Sequence, residues 1–320
     1  MEIQITKAED GRILRSFLKE TLALSARTLS ALKRREGGIT LNGKAVTVRT
    51  VLHAGDVLSL LLSDERSNEN LVARDLPLTL LYEDGEIAVC AKSGDMPTHP
   101  SHGHYDDTLA NALAFRYRAS PYVFRAITRL DRETSGVVLT ARTALAAERL
   151  SRAMQAGEIE KTYLALVCGT PPTEGEIALS IRRRAGSVML REVHPDGAPA
   201  VTRFRRLATD GEVSLLAVLP RTGRTHQIRL HLSHMGFPIL GDCLYGEERD
   251  DVPRTMLHAV RLTFPHPASG ERMTVAAPIP DDLAALLILH GLPVPRADAL
   301  FAEQACPSAL PHDGGKQRDE

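Results

Sequence analysis

The chain has 320 residues, 43% of them hydrophobic, which is enough apolar material for a substantial core and more length than one typical domain uses. Its formal net charge is only −1, so there is no global basic field to draw in a polyanion, and any such partner must be met by locally segregated charge. No apolar run approaches the roughly 18 residues of a membrane span, so a membrane protein built on helices is excluded.

Residues 1–62 read as a small separate unit. Ile13, Leu14, Phe17 and Leu18 recur at helical spacing, and a second helix follows Ser25 as its N-cap, with Leu29 and Leu32 on one face. Lys33, Arg34 and Arg35 crowd the last turn of that helix, which stops at Gly37-Gly38. Short strands flank Asn42-Gly43, a hairpin turn signal, and another strand covers 57–60. Ten Lys and Arg against six Asp and Glu leave this unit a surplus of four positive charges. Residues 63–76 are polar and read as a linker.

In the stretch 77–292 strands outnumber helices. Residues 78–81 and 87–91 face each other across Asp84-Gly85, 201–207 and 213–219 across Asp210-Gly211, and 257–264 and 273–277 across a Pro- and Gly-rich turn. Val137-Val138-Leu139 and 161–167 read as further strands. Helices are expected at 109–117, at 143–155 closed by Gly157, and at 225–235 closed by Gly236. The pattern predicts an α+β fold: a large antiparallel or mixed β-sheet with flanking helices, preceded by a small α/β unit. It excludes a doubly wound nucleotide-binding fold, and no G-x-G-x-x-G or P-loop is present. Residues 303–320 have no apolar period and read as a disordered tail. Cys90, Cys168, Cys243 and Cys306 form no C-x-x-C pair, which suggests reduced thiols in a cytoplasmic protein, and the opening Met-Glu-Ile-Gln-Ile is not a signal peptide.

The most informative stretch is Arg129-Leu130-Asp131-Arg132-Glu133-Thr134-Ser135-Gly136. Arg129 and Arg132 flank Asp131 in sequence, and opposite charge nearby favours an ionised carboxylate, as a covalent or general-base mechanism needs. With Thr134-Ser135-Gly136 it resembles the signature of the RluA-type pseudouridine synthases. The resemblance continues at Lys161-Thr162-Tyr163-Leu164-Ala165, at Thr222-Gly223-Arg224-Thr225-His226-Gln227-Ile228-Arg229, and at Leu240-Gly241-Asp242 with Tyr245-Gly246. It then runs through His258-Ala259 and Pro265-His266-Pro267 to Ala277-Pro278-Ile279-Pro280, so that it covers residues 78–290 in order. The first 62 residues, in turn, resemble the S-four-like RNA-binding module that precedes many such catalytic domains.

The resemblance implies an isomerase that turns uridine into its carbon-linked isomer within structured RNA. Such a reaction needs a carboxylate, a proton acceptor and a pocket that retains the detached base, but no cofactor or metal. It assigns the carboxylate to Asp131, the residue stacked on uracil and active in proton transfer to Tyr163, and the partner that fixes Asp131 to Arg229. Arg129 would enter the base stack vacated by the extruded uridine, and Lys33, Arg34 and Arg35 would contact phosphate. Thr128 stands where the family often has His. The implied partner is RNA, ribosomal large-subunit RNA ahead of transfer RNA, with no DNA or membrane, and the protein is expected to be a monomer.

Other readings stay open at this level. His226, His231 and His234 share one predicted helix and could hold a metal, although spacings of five and three do not stack on one face. Asp131 and Glu133 could form a glycosidase-like pair, and the chain could be an RNA-binding protein without activity. Arg182, Arg183 and Arg184 with Arg203, Arg205 and Arg206 are either a phosphate-tracking face or merely solvated.

Overall fold

The computed structural model describes residues 1–22, 24–62, 67–68, 70–247 and 249–296. The expected tail 303–320, and residues 63–66 and 69 of the expected linker, lie outside the described residues.

The first unit runs β1 (Glu2–Gln4), α1 (Leu14–Ser16) passing into a π-helical turn (Phe17–Thr21), α2 (Ala26–Arg34), β2 (Ile39–Leu41), β3 (Lys44–Ala45) and β4 (Val57–Leu60). Its four strands form an antiparallel sheet in the order β1-β4-β2-β3. Ser25 caps α2 by accepting the Thr28 N–H at 3.1 Å. Asn42 and Gly43 both have positive φ, 51° and 76°, the two-residue turn whose twist matches an antiparallel pair. Leu14, Phe17, Leu18, Leu52, Leu58 and Leu60 form its core. Ile13 departs from the helical expectation: it is the N-cap, half exposed at 50%, and it bridges Val51.

The second unit begins with β5 (Thr79–Glu83), β6 (Ile87–Lys92), α3 (Leu109–Arg116), β7 (Ser135–Ala141) and α4 (Ala144–Gln155). β8 (Glu160–Cys168), β9 (Glu174–Ala178), the ribbon β10 (Ile181–Arg183) with β11 (Arg191–Val193), β12 (Val201–Thr209) and β13 (Val213–Pro220) follow. The chain then makes α5 (Gln227–His234), β14 (Leu257–Pro265), β15 (Arg272–Ala276) and α6 (Asp281–Leu289). The large sheet has the order β5-β6-β7-β14-β8-β13-β12-β9, with β15 on β14. It is mixed because β14 runs parallel to β7 and antiparallel to β8 and β15. The expected α+β fold on a large sheet is therefore what the chain adopts.

The sheet is covered on both faces, which is why β7 is apolar without alternation and buried at every position. Leu150 and Ala153 of α4 pack with Val137 and Leu139, while Leu109 and Leu113 of α3 pack with Ala88 and Val138 on the other face. Each such fully buried Leu contributes roughly 1.5–3 kcal/mol. Helix α6 was not expected, since its Leu283-to-Leu289 run is apolar all round and offers no helical period. It docks Leu283, Leu286 and Leu287 beside Ile228 and Leu232 of α5, fixing α5 against the sheet. The two units touch where Leu145 joins the first unit's core and the Thr28 hydroxyl donates to Glu148 at 2.6 Å. The described part of the expected linker is tied to the second unit: Asn68 Oδ1 accepts the Phe124 N–H at 2.7 Å and Asn111 Nδ2 donates to Val72 O at 2.7 Å.

Candidate active site

The loop before β7 carries Asp131, and its backbone is held from three directions. Thr98 Oγ1 accepts the Leu130 N–H at 3.2 Å and donates to Leu130 O at 2.9 Å. Lys92, buried at the end of β6, donates to Arg132 O at 2.9 Å and to Ser93 O and Met96 O, both at 2.7 Å. Burial, together with the charge of Arg254, pulls the Lys92 ammonium down to about 7. Arg254 donates to Glu133 O at 3.0 Å while its fork grips Asp282. Gly136 then lets β7 and β14 approach: its φ is 117°, and a Cβ there would lie 2.2 Å from Ala259 O. The Thr-Ser-Gly part of the signature is thus the price of bringing β14 alongside the Asp131 loop. Thr128 serves the same scaffold, its Oγ1 accepting the Leu139 N–H at 2.9 Å.

Asp131 opens into a cleft of about 660 Å³, within the size range of small-molecule sites. Tyr163 on β8 and Arg229 on α5 line the same cleft, as does Arg129 at its rim. Arg129 is exposed and donates to Thr225 Oγ1 at 3.1 Å. Lysine and arginine side chains outnumber carboxylates in the lining: Arg129, Lys161, Arg221, Arg224, Arg229 and Arg261 against Asp131 and Glu160. The charge absent from the chain as a whole is concentrated here.

The basic side chains that face Asp131 are not its sequence neighbours. Arg132 turns to Glu133 at 3.6 Å and Arg129 to Thr225, whereas Asp131 Oδ2 has Arg229 Nη1 at 3.6 Å and His226 Nε2 at 3.9 Å. Both of these contacts make their closest approach at Oδ2, and no hydrogen bond to the Asp131 carboxylate forms among the described residues. The expectation for Arg229 needs a correction of emphasis. Its strong partner is Asp242, which accepts from Nε at 2.8 Å and from Nη2 at 2.7 Å, and Asp131 receives only the looser contact. Gly241, at φ 74°, lets the loop that carries Asp242 pass close to the Arg254 backbone, since a Cβ there would meet Arg254 O at 2.3 Å. Burial pushes the Tyr163 phenol well above its ordinary range, with the Asp131 charge adding to the effect, so Tyr163 is a neutral phenol at physiological pH.

Asp242, Lys92, Thr98 and Arg254 were missed as site residues by sequence reasoning. Asp242 stood inside a motif, but its meaning depends on a partner 13 positions away. The remaining expectations divide. Lys33 and Arg34 are exposed at the end of α2 and do not line the cleft, and Arg35 turns its Nη1 to Leu61 O at 2.8 Å. Glu133 accepts from the Thr255 hydroxyl at 2.5 Å and is not among the cleft residues, so it makes no pair with Asp131 there. His231 is buried against Thr202 Oγ1 and Leu179 O while His226 points to Tyr245, so these two histidines diverge. Arg182 and Arg184 pair with Glu192, and Arg203 with Glu176, so much of that arginine face is compensated.

A family model described as RNA pseudouridylate synthase matches residues 86–234. An uncharacterized RNA pseudouridine synthase of Bacillus subtilis is 37% identical over 269 residues, spanning 83% of this chain and 95% of the relative. Ribosomal large subunit pseudouridine synthase D of Vibrio cholerae is 38% identical over 272 residues, 79% of this chain and 83% of its own. Among solved structures, human RNA pseudouridylate synthase domain containing 1 superposes with a TM-score of 0.54 at 30% identity, covering 65% of this chain and 86% of that one.

Proposed function

The chain belongs to the RNA pseudouridylate synthase family, and from that membership we propose that it isomerises uridine in large-subunit ribosomal RNA, with Asp131 as the catalytic carboxylate. The observation that carries the assignment is the placement of Asp131: its carboxylate meets Arg229 and His226 at Oδ2 and lines a cleft rich in cations. The ribosomal substrate is supported by the relatives named as large-subunit enzymes, at 32–38% identity.

In this reading the bond from C1′ of the ribose to N1 of uracil breaks with help from Asp131 Oδ1. The uracil turns within the cleft, C5 bonds to C1′, the proton leaves C5 and N1 gains one, so atoms balance without any co-reactant. Tyr163, held neutral by burial, lies against the base and donates through its hydroxyl. Arg229 fixes the carboxylate and Asp242 fixes Arg229. Arg129 fills the place of the extruded uridine, a part suited to an exposed planar guanidinium at the rim. The first 62 residues act as an S-four-like RNA module through Lys33, Arg34 and Arg35, followed by a linker and the catalytic unit. The protein works as a cytoplasmic monomer; among the described residues no helix is long and apolar enough to cross a membrane. Mapping pseudouridine in ribosomal and transfer RNA from a strain lacking the chain tests this. Loss of a large-subunit site supports the reading, and loss confined to transfer RNA overturns the ribosomal assignment.

A further inference from the structure

His226 is held in a conformation that needs a reason. It is the N-cap of α5, with φ 56° and ψ 19°, the left-handed region that non-glycine residues seldom occupy, and it makes no capping bond there. Its imidazole is instead tied at Nδ1. Nδ1 lies 2.9 Å from Tyr245 Oη, and Tyr245 Oη accepts the Arg191 N–H at 2.9 Å. Arg191 donates to that oxygen, so the hydroxyl's own proton is available for Nδ1. With the hydroxyl donating, Nδ1 accepts and Nε2 carries the hydrogen, the tautomer on which the pairing below is built. Nε2 is the atom 3.9 Å from Asp131 Oδ2. Tyr245 is itself clamped, its ring edge-on to His226 at 5.6 Å and beneath the Arg229 guanidinium at 5.6 Å. Burial lowers the imidazole from its ordinary value, the Asp131 charge opposing, so the neutral form is the one present.

We propose that His226 and Tyr245 form a positioning pair for Asp131: Tyr245 locks the His226 tautomer, and His226 Nε2–H closes onto Oδ2 when the nucleoside seats, leaving Oδ1 for the reaction. The inference rests on Asp131 being the catalytic carboxylate. The 3.9 Å separation is about 1 Å longer than a hydrogen bond, and catalytic contacts in unliganded sites commonly tighten on binding. Arg229 Nη1 approaches the same oxygen at 3.6 Å from the next turn of α5, so two donors from one helix converge on Oδ2.

Two side chains separate the ends of the imidazole. In His226→Asn the amide reaches only as far as Nδ1 and tolerates left-handed backbone, whereas in His226→Gln the amide nitrogen reaches the position of Nε2. Single-turnover and steady-state kinetics on a large-subunit RNA fragment are measured for both, with Tyr245→Phe and Asp131→Asn alongside. The expected result is a fall in kcat of about 10- to 100-fold for His226→Asn, the worth of one hydrogen bond to a charged group, at nearly unchanged KM. His226→Gln recovers most of that loss. Nitrogen-15 spectra of the protein, with the His226 signals assigned by their disappearance in His226→Gln, show a single Nε2–H tautomer that becomes a mixture in Tyr245→Phe. Equal activity of His226→Asn and His226→Gln, or a loss seen only in KM, overturns the positioning role. An unchanged tautomer in Tyr245→Phe overturns the lock. If Asp131→Asn is inactive while His226→Asn is fully active, the inference alone falls; if Asp131→Asn is active, the catalytic reading falls with it.

Discussion

Arg229 grips Asp242 through two hydrogen bonds, Nε to Oδ2 at 2.8 Å and Nη2 to Oδ1 at 2.7 Å, in a setting where Asp242 has no exposed surface. Only the third nitrogen, Nη1, is left to reach Asp131. A planar fork holding one carboxylate with two nitrogens can present the remaining one in a fixed direction, which a lysine cannot do. Asp242 also accepts the Leu244 and Tyr245 N–H groups, so the same carboxylate shapes the loop that carries Tyr245.

Asp242→Asn should therefore cost both stability and turnover. Breaking one side of a buried ion pair costs about 3–5 kcal/mol, because it leaves the other charge uncompensated. Urea unfolding should show a loss of that order, and kcat should fall with the direction of Nη1 lost. Wild-type kcat in the variant would show that Asp242 does not set the position of Arg229.

Tyr163→Phe keeps the ring and removes the hydroxyl. The buried phenol stays protonated through neutral pH, so the expected loss is one of proton donation while contact with the base is retained. Turnover should fall by about a hundredfold, in the range of a single acid–base group, at little change in KM. A change confined to KM would reduce Tyr163 to a packing residue.

Much of this fold was readable because local physics governs it. The strands on either side of Asp210-Gly211 and Asp84-Gly85 declare themselves by apolar runs around turn residues, and both pairings form. Helix α4 runs from Thr143, its cap, to Gly157 just beyond its end, as the spacing implied. What was not readable depends on distance in sequence. The parallel contact of His258 with Ser135 joins residues 123 positions apart, and Gly136 has its purpose only there. The same holds at the site. Asp131 was found through a motif, but the charges next to it in sequence turn elsewhere, and its partners come from the start of α5. Lys92 lies one residue beyond the expected strand 87–91, and nothing local announces that its ammonium will support the Asp131 loop.

Stability should fall in mild acid through His258. This residue is buried on β14, with Nδ1 at 2.9 Å from Ser135 Oγ, and burial lowers it from 6.5 to about 4, with the Arg254 charge adding. Above pH 6.5 neither the folded nor the unfolded chain binds this proton. As pH falls, the unfolded chain takes it up first, and stability is lost until the folded protein follows near pH 4. The loss should approach about 3 kcal/mol over that window. Urea titrations at several pH values, wild type against His258→Gln, measure it as the difference between the two slopes. Parallel pH profiles would remove His258 from the account.

Lys33→Ala with Arg34→Ala should leave the fold intact, both side chains being exposed, while weakening RNA binding. Each lost phosphate contact lowers the magnitude of the salt slope by roughly one. Binding measured at several salt concentrations should give a slope shallower by up to about two. An unchanged slope would place these cations away from the RNA.

The most direct measurement is single-turnover pseudouridine formation by Asp131→Asn on a large-subunit RNA fragment, with RNA binding recorded on the same preparation. Asn keeps the shape of the side chain but supplies no carboxylate. The account predicts that RNA affinity stays within about threefold of wild type while product formation falls by at least about a thousandfold. Product formation within about tenfold of wild type, at normal affinity, would contradict the assignment of Asp131 as the catalytic group.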